Sequence, residues 1–264
     1  MRSSTQSIEK TLSTNELTGE EPHFLFIITP PNSGSTALAK ILESSHSAEL
    51  LHKNGEGQWL IPEMSGGDRW NREKTINWEL VRSVWLEKIE LIRASNQDVE
   101  LFIEKSPPNL VRMDQLIDVF PKHSLMAFNR NPYASCSSIL YRYNSPEDKD
   151  EEERIKNVSR IADKWVSRSG WIKKWIDKWH ITNFTYEQFC AEPAVYVSEL
   201  AVKLPVLQTV DVNRSIKVKD YKMQEIVDCN VEQISKLAQK EVDAISEVLT
   251  KNPEVVSFFG YDIL

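Results

Sequence analysis

The feature that most constrains this chain is an apolar run, followed at once by a short turn of small residues and then by a helical pattern. The residues from Phe24 to Ile28 are continuously apolar, which predicts a buried β-strand. The turn from Pro30 to Ser35 has one glycine and two hydroxyl side chains, and apolar residues at helical spacing follow from Ala37. Such a turn directs backbone N–H groups and the positive end of a helix dipole at one point. The segment therefore predicts a site for a phosphate-like anion in an α/β protein.

This turn differs from the phosphate-binding loop of most ATPases and GTPases. That loop requires Gly-x-x-x-x-Gly-Lys-Ser/Thr, with the lysine reaching the terminal phosphates. Here Gly34 is the only glycine in the turn, and no lysine precedes Ser35 or Thr36. An ordinary nucleoside-triphosphatase is therefore not expected. A plain strand-to-helix turn would fit the same residues, so the prediction needs support from elsewhere in the chain.

A second apolar strand ends in a basic residue. Leu125 to Phe128 are followed by Arg130, and Pro132 occupies the first position of the next helix, which carries Ser137 and Ser138. Open α/β sheets bind ligands at the carboxyl edge of their strands. Because both anion-binding patterns follow strands, we expect them to lie at the same edge of one sheet.

In these segments the chain resembles the sulfotransferases that use 3′-phosphoadenosine 5′-phosphosulfate (PAPS), in particular their bacterial and tyrosylprotein-specific branch. The resemblance rests on short motifs in family order between residues 24 and 262: Pro31–Thr36, Glu104–Pro107 with Asn109–Arg112, Arg130–Pro132 with Ser138, Phe184–Gln188, and Gly260–Asp262. It implies a three-layer α/β/α fold with a central parallel sheet. It also implies an enzyme that moves a sulfuryl group from PAPS to a hydroxyl or amine and releases adenosine 3′,5′-bisphosphate (PAP).

The resemblance also implies a donor site. The 5′-phosphosulfate would lie on Asn32, Ser33, Gly34, Ser35 and Thr36, the 3′-phosphate on Arg130 and Ser138, the adenine on Tyr186, and a basic loop would contribute Lys217 or Lys219. Most relatives carry a lysine or arginine where this chain has the uncharged Asn32. Transfer proceeds through a loose transition state that cations stabilise, so no metal is required if side chains supply the charge.

The catalytic residues follow from the same comparison. Lys105, expected at a strand end of the same sheet edge, is the cation that replaces the missing basic residue. The base that takes the acceptor proton is either Glu56, which matches the first glutamate of a Gly-Glu-Glu segment in the tyrosylprotein branch, or His52, whose ordinary pKa suits proton transfer near neutrality. Four tryptophans, Trp59, Trp70, Trp78 and Trp85, occupy the segment in which such enzymes build the acceptor pocket.

Composition limits the partners and the compartment. A net charge of −7 argues against nucleic acid as the main partner. The three cysteines form no Cys-x-x-Cys pair, and no signal peptide or membrane-spanning stretch is visible, which favours a reduced cytoplasmic protein. The acceptor is a small molecule, a carbohydrate, a lipid or a peptide, and the oligomeric state is open.

The coarse pattern predicts one domain over residues 21–264 behind a flexible tail, residues 1–20. Helices are predicted over 35–44, 77–94, 152–179, 194–203 and 231–249, a further strand over 181–186, and irregular structure over 46–75. Two other functions remain open. One is a P-loop-like small-molecule kinase, and the other is a protein that binds PAP or PAPS with little or no turnover, for which Asn32 is the argument.

Overall fold

A computed structural model describes residues 20–218 and 222–264 of the chain. Within these residues, five strands form one parallel sheet in the order β2-β3-β1-β4-β5. The strands are β1 (His23–Ile28), β2 (Ala48–Leu50), β3 (Leu101–Glu104), β4 (His123–Asn129) and β5 (Thr182–Thr185). The predicted parallel sheet is thereby confirmed.

Helices cover both faces of this sheet. They are α1 (Ser35–Leu42), α2 (Pro62–Ser65), α3 (Trp78–Ser95), α4 (Met113–Val119), α5 (Pro132–Tyr143), α6 (Glu151–Trp179), α7 (Tyr186–Ala191), α8 (Pro193–Lys203), α9 (Asn230–Ile234), α10 (Gln239–Thr250) and α11 (Pro253–Phe258). This is the three-layer α/β/α arrangement that the sequence predicts.

The central strand β1 is buried on both faces. Phe24 and Phe26 point to one side, where Trp85 of α3 and Phe120 pack against them. Leu25 and Ile27 belong to the core on the other side, together with residues of α1 and α8. Alternate side chains of a strand face opposite ways, so a strand covered on both faces must be apolar throughout. The continuous apolar run from 24 to 28 reflects this position.

The order of the strands also fixes where a ligand can bind. From β1 the chain runs to β2 and β3 on one side of the sheet, and then returns to β4 on the other side. The loop after β1 and the loop after β4 therefore diverge at a topological switch point. Crevices in open α/β sheets form at such points, outside the carboxyl ends of the strands.

Three details differ from the sequence-based expectation. Residues 46–75 contain the three-residue strand β2, which is too short to leave a periodic signal. The helix predicted over 231–249 is two helices, because the Glu241 carboxylate accepts the N–H of Ala238 at 2.8 Å and starts α10 anew. Tyr186, expected at a strand end, is the first residue of α7.

Two further expectations concern the N-terminal region and membranes. The predicted tail lies outside the described residues except for Glu20, whose carboxylate contacts the Lys122 ammonium at 2.5 Å. Across residues 20–218 and 222–264, every helix is too short or too polar to cross a bilayer.

Candidate active site

A cavity of about 440 Å³ opens at the switch point. Its wall contains Pro31 and Gly34 from the loop after β1, Lys105 from the end of β3, and Arg130 from the end of β4. The two anion-binding patterns found in the sequence thus meet in one place, because their strands are neighbours in the sheet. The cavity is the candidate active site.

The loop after β1 is held in a conformation that few residue types accept. Asn32 and Gly34 both have left-handed backbones, with φ of 59° and 85°. Asparagine and glycine are the residues that adopt this region most readily. A Cβ atom on Gly34 would lie 2.3 Å from a ring carbon of Tyr186, so the glycine also makes room for that ring. The Ser33 hydroxyl hydrogen-bonds the Thr29 hydroxyl at 2.5 Å, which ties the loop back to the strand.

Helix α1 begins directly at the cavity. Gly34 is its N-cap and supplies no side-chain hydrogen bond, while Ser35 and Thr36 of the first turn line the cavity. The first N–H groups of a helix have no carbonyl partner within it. Together with the two hydroxyls and the helix dipole, they offer an anion several donors without any charged side chain.

Arg130 supplies positive charge beside the loop after β1. Its Nε donates to the Asn230 side chain at 2.8 Å and its Nη1 to the Asn32 carbonyl at 3.2 Å. The guanidinium lies 4.3 Å from the centre of the Tyr186 ring. The side chain is only 6% exposed, and its Nη2 has no hydrogen-bond partner among the described residues. A buried guanidinium nitrogen that lacks an acceptor is prepared for an anion from outside the chain.

Residues of two sequence motifs, Phe184–Gln188 and Gly260–Asp262, lie behind Arg130 and fix the orientation of its guanidinium. Glu187 accepts hydrogen bonds from the Asn230 amide at 2.6 Å and from the Tyr261 hydroxyl at 3.0 Å. Asn230 in turn holds Nε of Arg130. Burial, followed by the negative charge of Glu187, raises the pKa of Tyr261, so its hydroxyl stays protonated and donates. We call this hydrogen-bonded series the relay; it runs from Tyr261 through Glu187 and Asn230 to Arg130.

Lys105 and Glu56 form an ion pair in the same cavity, with Nζ and Oε1 2.7 Å apart. The Lys105 side chain is 2% exposed. Burial tends to raise the pKa of Glu56, but the charge and hydrogen bond of Lys105 and two further donors outweigh it, and the pKa is lowered. Those donors are the Gln58 amide and the Trp59 indole, both on Oε2. Glu56 is therefore a carboxylate near neutral pH, and a weak base until its donors move.

Glu104, which precedes Lys105, organises this wall from behind. Its fully buried carboxylate accepts the N–H of Gly57 and of Ser106, both at 3.1 Å, and the Asn109 amide at 3.0 Å. It thus joins the segment that carries Glu56 to the turn that follows Lys105. Burial raises the pKa of Glu104 to about 7, against the opposing effect of its Ser106, Asn109 and Lys105 partners.

The predicted residues divide into two groups in the structure. Those that line the cavity are Asn32, Gly34, Ser35, Thr36, Glu56, Lys105, Arg130 and Ser138. Outside the lining are Ser33, His52, Tyr186 and Lys217. The Tyr186 ring lies between Gly34 and Arg130, with its hydroxyl donating to the Val227 carbonyl at 2.7 Å. Burial and then Lys88 lower the pKa of His52. Lys219 lies outside the described residues.

Sequence reasoning missed most of the positive charge in the cavity. Besides Lys105 and Arg130, the lining contains Arg69, Arg142, Arg160, Lys164 and Arg168, and among the described residues Glu56 is its only acidic side chain. The available signal was the spacing of Arg160, Lys164 and Arg168, which puts one cation per turn on a face of α6. Asn230 was missed as well, because no local pattern marks it.

Of the four tryptophans expected near the acceptor, only Trp59 and Trp70 line the cavity, while Trp85 is fully buried in the core. No group of three or more His, Cys, Asp and Glu side chains gathers into a metal-binding cluster in the described part of the chain. The prediction that the reaction needs no metal stays a prediction.

Comparison with solved structures supports the fold. Sulfotransferase STF9 from Mycobacterium avium aligns with a TM-score of 0.56 at 9% identity, over 93% of this chain and 79% of that one. A sulfotransferase from Alicyclobacillus acidocaldarius gives 0.55 at 15%, over 92% and 98%. The sulfotransferase domain from the curacin biosynthetic pathway gives 0.51 at 14%, over 92% and 99%. No curated protein sequence matches the chain.

The sequence itself matches the model of the sulfotransferase family over residues 22–204. The matched region contains the loop after β1, the Lys105 segment, Arg130 and Ser138, and the Tyr186–Gln188 motif. Family membership supports sulfuryl transfer as the class of reaction, while the tyrosylprotein-specific branch stays unconfirmed. The chain belongs to the sulfotransferase family.

Proposed function

We propose that this protein transfers the sulfuryl group of PAPS to a hydroxyl or amine of an acceptor and releases PAP. The observation that carries the proposal is the unpartnered Nη2 of Arg130, a residue that lines the same cavity as the first turn of α1. One cavity thus offers two sets of anion donors, one of neutral groups and one a guanidinium. A nucleotide with phosphates on both its 5′ and 3′ oxygens requires such a pair of sites.

The residues present fit this donor. The phosphosulfate group would be held by the N–H groups of the α1 first turn and by the Ser35 and Thr36 hydroxyls. Arg130 and Ser138 would hold the 3′-phosphate. The roles of Ser33 and Tyr186 would be indirect, since Ser33 fixes the loop through Thr29 and Tyr186 supports Arg130. Lys217 and Lys219 remain predictions.

In the reaction, the bond from sulfur to the leaving phosphate oxygen breaks, the acceptor oxygen or nitrogen bonds to sulfur, and the acceptor loses a proton. Negative charge grows on the leaving oxygen, and Lys105 is the cation we assign to it. Glu56 is the base we favour over His52, because Glu56 lines the cavity and His52 does not. The ion pair with Lys105 must loosen before Glu56 can accept the proton.

Asn32 does not by itself indicate a protein without turnover. Its left-handed backbone, with φ of 59°, is a structural reason for asparagine at this position. Lys105 already supplies a cation to the same cavity. We therefore place the kinase and the non-catalytic binder second; the following binding test distinguishes the kinase, and sulfuryl transfer to an acceptor would exclude the binder.

The test is calorimetric binding of PAP, with ATP and ADP plus magnesium as comparison ligands. We expect PAP to bind without metal and to lose at least about tenfold in affinity in Arg130→Met, because a charge-assisted hydrogen bond contributes about 1.5–3 kcal/mol. Arg130→Lys keeps the positive charge but removes the planar guanidinium with its several donors. Its PAP affinity should lie between those of the parent protein and Arg130→Met. Lys156→Met is the control: it removes a positive charge from α6 outside the cavity lining. Metal-dependent ATP binding without PAP binding would favour the kinase.

We infer that the acceptor is a small molecule. One structural neighbour is the sulfotransferase domain of a biosynthetic pathway, and the cavity of about 440 Å³ is lined in part by Trp59, Trp70 and Arg168. A carbohydrate, lipid or peptide acceptor remains an outcome of an acceptor screen. We also propose a cytoplasmic location, on the ground that Cys136, Cys190 and Cys229 are free thiols.

A further inference from the structure

A row of cations on α6 faces the cavity and has no role in the proposed donor site. Arg160, Lys164 and Arg168 lie one helical turn apart and all line the cavity. We call these three residues the cation row. Arg69, from the segment between α2 and α3, lines the cavity beside it.

Packing holds Arg168 and the neighbouring segment in place, whereas Arg160 and Lys164 are exposed. The Arg168 guanidinium lies 4.0 Å from the centre of the Trp70 ring. Arg112, fully buried, donates from Nη2 to the carbonyls of Arg69 and Asn71 at 2.9 and 2.8 Å, and so fixes the segment that carries Arg69 and Trp70. Arg112 thus fixes the backbone of this segment, while the side chain of Arg69 lines the cavity.

Within the described part of the chain, this grouping of like charges has no carboxylate partner. Among residues 20–218 and 222–264, neither Lys164 nor Arg168 forms an ion pair, and Arg160 hydrogen-bonds only the neutral Asn157 side chain, at 2.8 Å. Burial and the charge of Arg69 lower the pKa of Arg168 to about 10, and burial, Arg168 and Arg160 lower that of Lys164. Burying Arg168 close to the charge of Arg69 costs free energy, which a bound anion would offset.

The donor does not account for this charge. The proposed donor contacts are the first turn of α1, Arg130 and Ser138, and Lys105 serves the transferred group. Arg168 of the row instead packs against Trp70, in the segment where the acceptor wall was expected. The extra cations occur in a chain whose net charge is −7, so they are a local concentration and not a general property of its surface.

We propose that the cation row and Arg69 bind an anionic group on the acceptor, a phosphate or sulfate ester that lies apart from the hydroxyl or amine to be sulfated. This inference rests on the proposed function. It narrows the class of acceptor to molecules that already carry a phosphate ester, with up to two negative charges, or a sulfate ester, with one. Three or four cations match the charge of a phosphate ester better than that of a lone carboxylate.

The experiment titrates inorganic phosphate, sulfate and acetate into the protein saturated with PAP, by calorimetry. We expect phosphate to bind more tightly than sulfate, and acetate to be weakest. Phosphate affinity should fall at least about tenfold in Lys164→Met and in Arg168→Met, and less in Arg168→Lys, which keeps the charge. Lys156→Met, which removes a charge from the same helix outside the lining, should bind phosphate as the parent protein does.

Several results would overturn the proposal. Loss of phosphate binding in Lys105→Met but not in the row variants would mean that phosphate occupies the place of the transferred group. An equal loss of PAP affinity in the row variants would assign the row to the donor. PAP binding without any phosphate binding would overturn this inference alone, whereas absence of PAP binding would overturn the proposed function and this inference with it.

Discussion

A single methyl group at Gly34 tests how the loop, the tyrosine and the arginine depend on one another. In Gly34→Ala the new Cβ would lie 2.3 Å and 2.6 Å from two ring carbons of Tyr186. Carbon atoms in contact are normally about 3.5–4.0 Å apart, so the ring would have to retreat by about 1 Å or more. Its retreat is opposed by the Arg130 guanidinium 4.3 Å from the ring centre and by the hydroxyl bond to Val227.

The expected magnitude follows from two separate costs. A left-handed backbone costs an alanine about 1–2 kcal/mol, and overpacking a filled site costs about 1–3 kcal/mol more. Gly260→Ala is the matched control, because Gly260 has a φ of 73° but nothing within 4 Å of its added Cβ. The free energy of unfolding of Gly260→Ala should fall by the backbone cost alone. Urea titration of both variants measures the free energy of unfolding, and calorimetry measures PAP affinity, which Gly34→Ala should lower by about tenfold or more.

A double-mutant cycle separates the clash from the backbone strain. With the ring removed in Tyr186→Ala, adding Gly34→Ala should cost no more than Gly260→Ala does. Equal losses of stability in Gly34→Ala and Gly260→Ala with the ring in place, or undiminished PAP affinity in Gly34→Ala, would refute the reasoning that the ring couples the loop to Arg130.

Three other perturbations give distinct results. Because burial raises the pKa of Glu104 from 4.5 to about 7, the folded state keeps a proton that the unfolded state releases. Stability should fall by about 3 kcal/mol as pH rises from 4.5 to about 7, and urea titrations across this range should show a flatter profile in Glu104→Gln. Glu56→Gln replaces the carboxylate 2.7 Å from Lys105 Nζ with a neutral amide and should lower the free energy of unfolding by about 3 kcal/mol. Adding Lys105→Met should recover much of this loss, and an additive double variant would contradict the pairing. Asn32→Lys and the control Asn54→Lys should each lose about 1 kcal/mol of unfolding free energy, because both positions have a left-handed backbone. Only Asn32→Lys, which is in the cavity lining, should bind PAP more tightly in calorimetry.

The sequence predicted the elements whose pattern is local. The apolar run of β1, the periodic faces of α3 and α6, and Pro132 at the start of α5 each carry their own signal. The parallel sheet and the convergence of the two anion-binding patterns at its edge followed from these elements by general rules of α/β folds. The structure confirms the parallel sheet, and residues of both patterns line one cavity, while their binding of anions stays a prediction.

What the sequence left out depends on contacts between distant residues. Asn230 holds Arg130 across 100 positions and has no motif of its own. The sequence also does not show that Lys105 and Glu56 form an ion pair. Each side chain is therefore bound to an opposite charge before any substrate binds. The cavity cations come from the segment around Arg69, from α5 and from α6, so no single stretch of sequence displays them together.

The relay behind Arg130 has a consequence for the order in which the protein folds. Its hydrogen bonds join residues 100, 43 and 74 positions apart, and contacts between such distant residues form slowly because long loops must close first. The pairing of Phe24 in β1 with His123 in β4 closes a loop of similar length, so the sheet has no advantage in sequence separation. The hydrogen bonds to Arg130 require, in addition, the segments that carry Asn230 and Tyr261, so the capacity to bind a nucleotide would return only when the sheet and these segments are both in place. PAP present from the start would trap that final arrangement by mass action, and the return of PAP binding would be a sharper measure of complete folding than the return of helix content.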